Sequence, residues 1–87
     1  MYDMETLINW IKTVFNIDPT FKNPMPDNGF MIEYIIGDKY IMLEFYQDGE
    51  NVLLTREVNG KMIKAWDFTQ IDIVKDILTL FINANKS

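Results

Sequence analysis

FMIEYIIGDKYIMLEFYQDGENVLLTREVNGKMIKAWDF, residues 30–68, carries three hairpin signals at near-equal spacing: Gly37-Asp38, Asp48-Gly49 and Asn59-Gly60. Each lies between segments rich in Ile, Leu, Val, Tyr and Phe. Two-residue hairpin loops need positive φ, which Gly, Asn and Asp tolerate, and β-branched and aromatic flanks suit a pleated surface. The stretch therefore reads as a four-stranded antiparallel meander.

Two-residue loops at these dipeptides fix a register. The first pairs Phe30 with Phe45, Ile32 with Leu43 and Tyr34 with Ile41. The second sets Phe45 beside Val52 and Leu43 beside Leu54, and the third sets Leu54 beside Ala65 and Arg56 beside Ile63. One face is then almost wholly apolar across four strands, as a buried sheet face requires. On this register Leu54 is a core residue.

Helices flank the meander. Met4, Leu7, Ile8, Ile11, Val14 and Phe15 recur at three-and-four spacing over residues 3–16, with Asp3 as cap and Trp10 at the stripe's edge. Asp18-Pro19 ends that helix, because the residue before proline is driven from the α region. Thr69-Gln70-Ile71-Asp72 resembles a capping box opening a second helix to about Asn83, with Ile73, Val74, Ile77, Leu78, Leu80, Phe81 and Ala84 as its apolar stripe. Between the first helix and the meander, residues 17–29 hold all three prolines and read as an irregular connector pinned by Phe21 and Met25. The expected fold class is α+β, one domain over residues 1–87. It is a two-layer sandwich, α-β-β-β-β-α, with both helices on one sheet face.

Composition removes most chemistry. The chain has no cysteine and no histidine, so disulfides, thiolate metal sites and the commonest general base are absent. Thirteen acidic residues against eight basic ones give a net charge of −5, and the basic residues are scattered. Such a chain is repelled by phosphate backbones and anionic lipid. No apolar run approaches the roughly 18 residues needed to span a membrane. The opening Met1-Tyr2-Asp3-Met4-Glu5 is acidic where a secretory signal is basic and then apolar, which points to the cytoplasm. We therefore expect no direct nucleic-acid partner, no membrane, no cofactor and no metal.

Carboxylates are the remaining enzymatic candidates. Glu33 and Glu44 lie near one another in the register, and Asp72 and Asp76 lie one helical turn apart. Glycosidase-type chemistry needs two carboxylates across a deep cleft, which 87 residues hardly provide, so these read as solvated charge. Asp48-Gly49-Glu50-Asn51 lacks the ligand run of an EF-hand loop and reads as a turn.

The second sheet face is the functional candidate. By alternation it carries Met31, Glu33, Ile35, Tyr40, Met42, Glu44, Tyr46, Leu53, Thr55, Glu57, Met62, Lys64, Trp66 and Phe68. Tyr, Trp and Met mixed with a few charges is the composition of a protein interface rather than of a solvated face. We expect a non-catalytic protein-binding module whose contact residues are Tyr40, Met42, Glu44, Tyr46, Leu53, Met62, Lys64 and Trp66. The partner is a second copy or a larger protein. The alternatives are a small acidic inhibitor of a nucleic-acid-processing enzyme, of the kind phages and mobile elements encode, and a small-ligand binder. Glu50–Thr55 is similar over six residues to a stretch of the phage-encoded uracil-DNA glycosylase inhibitors. The Glu-Ser-Ile element by which that family imitates a DNA backbone does not occur in this chain.

Overall fold

A computed structural model describes residues 3–57 and 62–84. The elements run α1 (Asp3–Phe15), β1 (Phe21–Pro24), a 3₁₀ turn (Pro26–Asn28), β2 (Phe30–Ile36), β3 (Lys39–Phe45), β4 (Asn51–Glu57), β5 (Ile63–Phe68) and α2 (Ile71–Asn83). The five strands form one antiparallel sheet in chain order, and both helices cover one of its faces. The expected α+β architecture is present with one strand more than the sequence indicated. That strand is β1, drawn from the proline-rich connector. It pairs Phe21 with Glu33 and Pro24 with Phe30 at the sheet's edge, where a proline leaves no inner ladder bond unmade. Phe21 does not pin the connector, because it stands half-exposed on the helix-free face, whereas Met25 is partly buried.

The β2–β3 register is the expected one, Phe30 to Phe45 and Tyr34 to Ile41. Gly37 takes the first position of the two-residue loop at φ +61, where a type II′ turn calls for glycine. The β3–β4 register differs by one residue: Leu43 lies opposite Leu53, not Leu54, and Met42 lies opposite Leu54. The cause is the loop over residues 46–50. Gly49, at φ +81, donates its N–H to the Tyr46 carbonyl at 3.1 Å, and Asp48 Oδ1 accepts from Glu50 N–H at 2.9 Å. Asn51 Oδ1 then accepts the Tyr46 N–H at 2.9 Å. An odd number of loop residues turns every β4 side chain to the opposite face.

The slip carries into β5. Leu54 pairs with Ala65 and Arg56 with Ile63, as a two-residue loop at Asn59-Gly60 implies, although that dipeptide lies outside the described residues. Because β4 is turned over, β5 is turned over with it. Leu53, Trp66 and Phe68 therefore face the helices, and Leu54, Ala65 and Ile63 face away.

The core joins Met4, Leu7 and Ile11 of α1 and Val74, Leu78 and Ile82 of α2 to Ile32, Tyr34, Ile41, Leu43, Phe45, Leu53 and Phe68. Phe45 and Phe68 meet edge to face, ring centroids 5.9 Å apart. Each fully buried Leu or Ile contributes about 1.5–3 kcal/mol. Sequence periodicity misplaces five residues of the two stripes. Ile82, absent from the expected stripe, is buried, while Val14, Ile73, Leu80 and Ala84 stand exposed. The expected capping box is also absent. The residue before α2 is Gln70, with no side-chain cap, and Thr69 lies one residue too early.

What holds α2 at its other end is Lys39. Its ammonium group is buried and donates to the carbonyls of Phe81 at 2.7 Å and Ile82 at 2.9 Å, 5.5 Å from the Phe81 ring. A lysine here supplements the last turn, where the Phe81 carbonyl also accepts the Ala84 N–H at 3.4 Å, and meets the negative end of the helix dipole. Helix α1 ends on Asn16, which donates its N–H to the Lys12 carbonyl at 2.9 Å and turns the chain out of the helix at φ 57. Between the helices, Lys75 Nζ lies 5.7 Å from the Trp10 ring, which packs edge to face on Phe15.

Candidate protein-binding surfaces

The eight sequence-predicted contact residues fall into four groups. Tyr40, Met42 and Glu44 are neighbours on the helix-free side of β3. Tyr46 lies just past the strand end in the β3–β4 loop. Leu53 is fully buried in the core and offers no contact surface. Met62, Lys64 and Trp66 lie on the helix side, against α2.

On the helix-free face, β-sheet alternation aligns three rows of side chains across the strands. Phe21, Glu33, Met42, Leu54 and Ala65 form the middle row. Ile35, Tyr40, Arg56 and Ile63 flank it on one side, and Met31, Glu44, Val52 and Asp67 on the other. Phe21 and Ile35 are each 50% exposed and Ile63 58%. The residues missed by sequence are Phe21, Val52, Leu54, Arg56, Ile63, Ala65 and Asp67. Correct β4 parity and recognition of β1 would have found them all.

A polar ladder crosses the centre of this face. The Tyr40 hydroxyl donates to Glu33 Oε2 at 2.5 Å, and the Arg56 guanidinium stacks 5.1 Å from the Tyr40 ring. Partial burial and the Glu33 carboxylate push the Tyr40 phenol up to about 12, while Arg56 pulls it the other way. The Tyr46 phenol is also raised, by loss of hydration and by Glu44, Asp27 and Asp48, which gather at that end of the sheet. Glu33 is thus a hydrogen-bond acceptor within the face. Asp72, on α2, faces solvent and lies 3.8 Å from Lys75.

The second surface is an open groove of about 510 Å³ between β5 and the C-terminal half of α2. Thr55 and Trp66 line it from the sheet, Ile77, Leu80 and Phe81 from the helix, and Met62 and Lys64 stand at its mouth. Its walls are mainly apolar, with Arg56 and Glu57 also lining it, and Leu80 is 75% exposed.

Among the described residues, no three Asp or Glu side chains gather as a metal site. No described helix is long and apolar enough to cross a membrane. No protein-family model matches the chain, and no curated protein and no solved structure is found similar to it.

Proposed function

We propose that this protein is a non-catalytic protein-binding module that works through the helix-free face of its sheet. The observation that carries this reading is the row structure of that face. Phe21, Ile35 and Ile63 are half-exposed or more around Met42 and Leu54, on a side that no described helix covers. Apolar surface of this continuity on a soluble domain marks a partner site, and methionines adapt to a partner's contours. The Glu33–Tyr40–Arg56 ladder supplies orientation, because its groups are already aligned before a partner arrives.

The test is a double variant, Ile35→Glu with Ile63→Glu. Both side chains are exposed, so it is expected to melt like the parent. It is expected to lose the partner that crosslinking to the parent face identifies. A variant that binds that partner as the parent does would overturn the reading.

A second reading, an acidic inhibitor that occupies a basic enzyme site, draws support from the carboxylates of Asp27, Glu44 and Asp48 around Tyr46. It is separated by salt. An inhibitor of this kind dissociates steeply as ionic strength rises, whereas an apolar face does not.

A further inference from the structure

We propose that the outer edge of β5, together with the exposed flank of α2 above it, pairs with the same surface of a second copy to form a two-fold dimer. The sheet order leaves β5 with a neighbour on one side only, so its outer backbone groups have no strand partner among the described residues. A six-residue edge strand with this composition is a template for another strand. The surface is distinct from the helix-free face and does not depend on its function.

The helix contributes a matching strip. Lys75 of α2 reaches Trp10 of α1 and so marks the inner flank of the helix. At 100° per residue, Ile73, Ile77, Leu80 and Ala84 fall within a sector about 60° wide on the opposite flank. Ile73 and Leu80 are among the most exposed apolar side chains of the molecule. This stripe is separate from the buried one of Val74, Leu78 and Ile82. It overhangs the same edge as β5, so one approaching surface meets both.

Symmetry selects the occupant and the register. A two-fold axis perpendicular to the sheet makes two edge strands antiparallel and keeps both helix layers on one side. It therefore pairs residues whose side chains share a face. Centred on Ala65, this register sets Lys64 beside the partner's Trp66, a pair that occurs twice. A cation over indole is a favourable contact. Lys64 and Asp67 are the only charges on β5, so the strand is neutral in a chain of charge −5. At this edge each carboxylate has a neighbouring cation, Asp67 with Lys64 on β5 and Glu57 with Arg56 in the groove, so edge-to-edge approach brings no net charge together. The contact strip is about 20 Å long and spans a sheet and a helix layer about 10 Å apart, on the order of 1,000 Å² over two copies, the size at which specific association begins.

Sedimentation of the purified chain over a concentration series is expected to show a doubled mass. Leu80→Glu is expected to weaken dimerisation at least tenfold without changing the melt of the monomer, because Leu80 is exposed in the single chain. Ile35→Glu, on the helix-free face, is expected to leave the dimer intact. Amide exchange over Lys64–Phe68 is expected to slow as concentration rises, which a contact through α2 alone would not produce. A chain that stays monomeric throughout, a dimer that survives Leu80→Glu, a dimer abolished by Ile35→Glu, or β5 amides that remain unprotected in the dimer would each overturn the proposal.

Discussion

The β2–β3 and β3–β4 hairpins share a strand and turn on the same two residue types in opposite order, Gly37-Asp38 and Asp48-Gly49. In the first, the positive-φ residue comes first and the loop holds two residues. In the second, Gly49 comes last, closing a turn from Tyr46, and the loop runs over residues 46–50. An even loop preserves the face pairing that hydrophobic alternation suggests, and an odd one reverses it. The difference of one residue decides which half of β4 and β5 is core and which is surface. It moves Trp66 from an expected interface to the inner wall of a groove.

The comparison is most severely tested at Leu53 and Leu54. Leu53→Ala is expected to cost about 2–5 kcal/mol, as truncation of a fully buried leucine does. Leu54→Ala, on the helix-free face, is expected to cost less than about 1.5 kcal/mol, in line with a partly buried side chain. Urea melts of the two variants decide it. The opposite order would restore the register with Leu43 beside Leu54.

Those two leucines also show why the fold was legible and half of the site was not. In the β2–β3 hairpin Glu33 and Glu44 both fall on the outer parity, and Ile32, Tyr34, Ile41 and Leu43 on the inner one, so turn chemistry and hydrophobic pattern agree. Val52-Leu53-Leu54 is apolar at both parities, so it fits either register equally. The flanking residues then mislead, because Asn51 and Thr55 are polar yet buried, while Leu54 is apolar yet outside. The one sequence signal for the true register was the order Asp48-Gly49, with Asp placed to cap its own turn. β1 was hidden for a different reason: four residues ending in Pro24 are strand only because the edge of β2 is there to receive them.

Lys39 begins the strand the two hairpins share, and the first loop aims it at α2. Lys39→Met keeps the aliphatic stem but removes the ammonium donor from the carbonyls of Phe81, which keeps the Ala84 N–H, and Ile82. A loss of about 1–3 kcal/mol is expected, the range for charged hydrogen bonds and for buried acceptors left unsatisfied. Amide exchange should localise the damage to the last turn of α2. Loss spread evenly over the domain would show that Lys39 acts through packing instead.

A smaller effect separates the two loops. Asn51→Ala removes the acceptor of the Tyr46 N–H in a buried setting and is expected to cost about 1–2 kcal/mol. Asp38→Ala, at an exposed position of the two-residue loop, is expected to change stability by less than about 0.5 kcal/mol. Thermal melts that place the two variants together would show that the longer loop is held by its backbone turn alone.

The smallest expected effect is read at Tyr40, where the two hairpins meet on the helix-free face. Glu33 of the first accepts its hydroxyl, and Arg56 of the second lies over its ring. The two act with opposite sign on its ionisation. Burial and the Glu33 carboxylate disfavour the phenolate and raise the group from 10.0 to about 12, while the guanidinium favours it. Because the folded value lies above the unfolded one, this contribution to stability is complete below about pH 10 and is lost as pH rises through about 12. Glu33→Gln is expected to lower the Tyr40 titration toward 10, and Arg56→Met to raise it further, followed by the Tyr40 ring carbon signal against pH. No shift for either variant would mean that burial alone sets the value. The ladder across the face would then be two separate pairs that share a tyrosine without acting on it together.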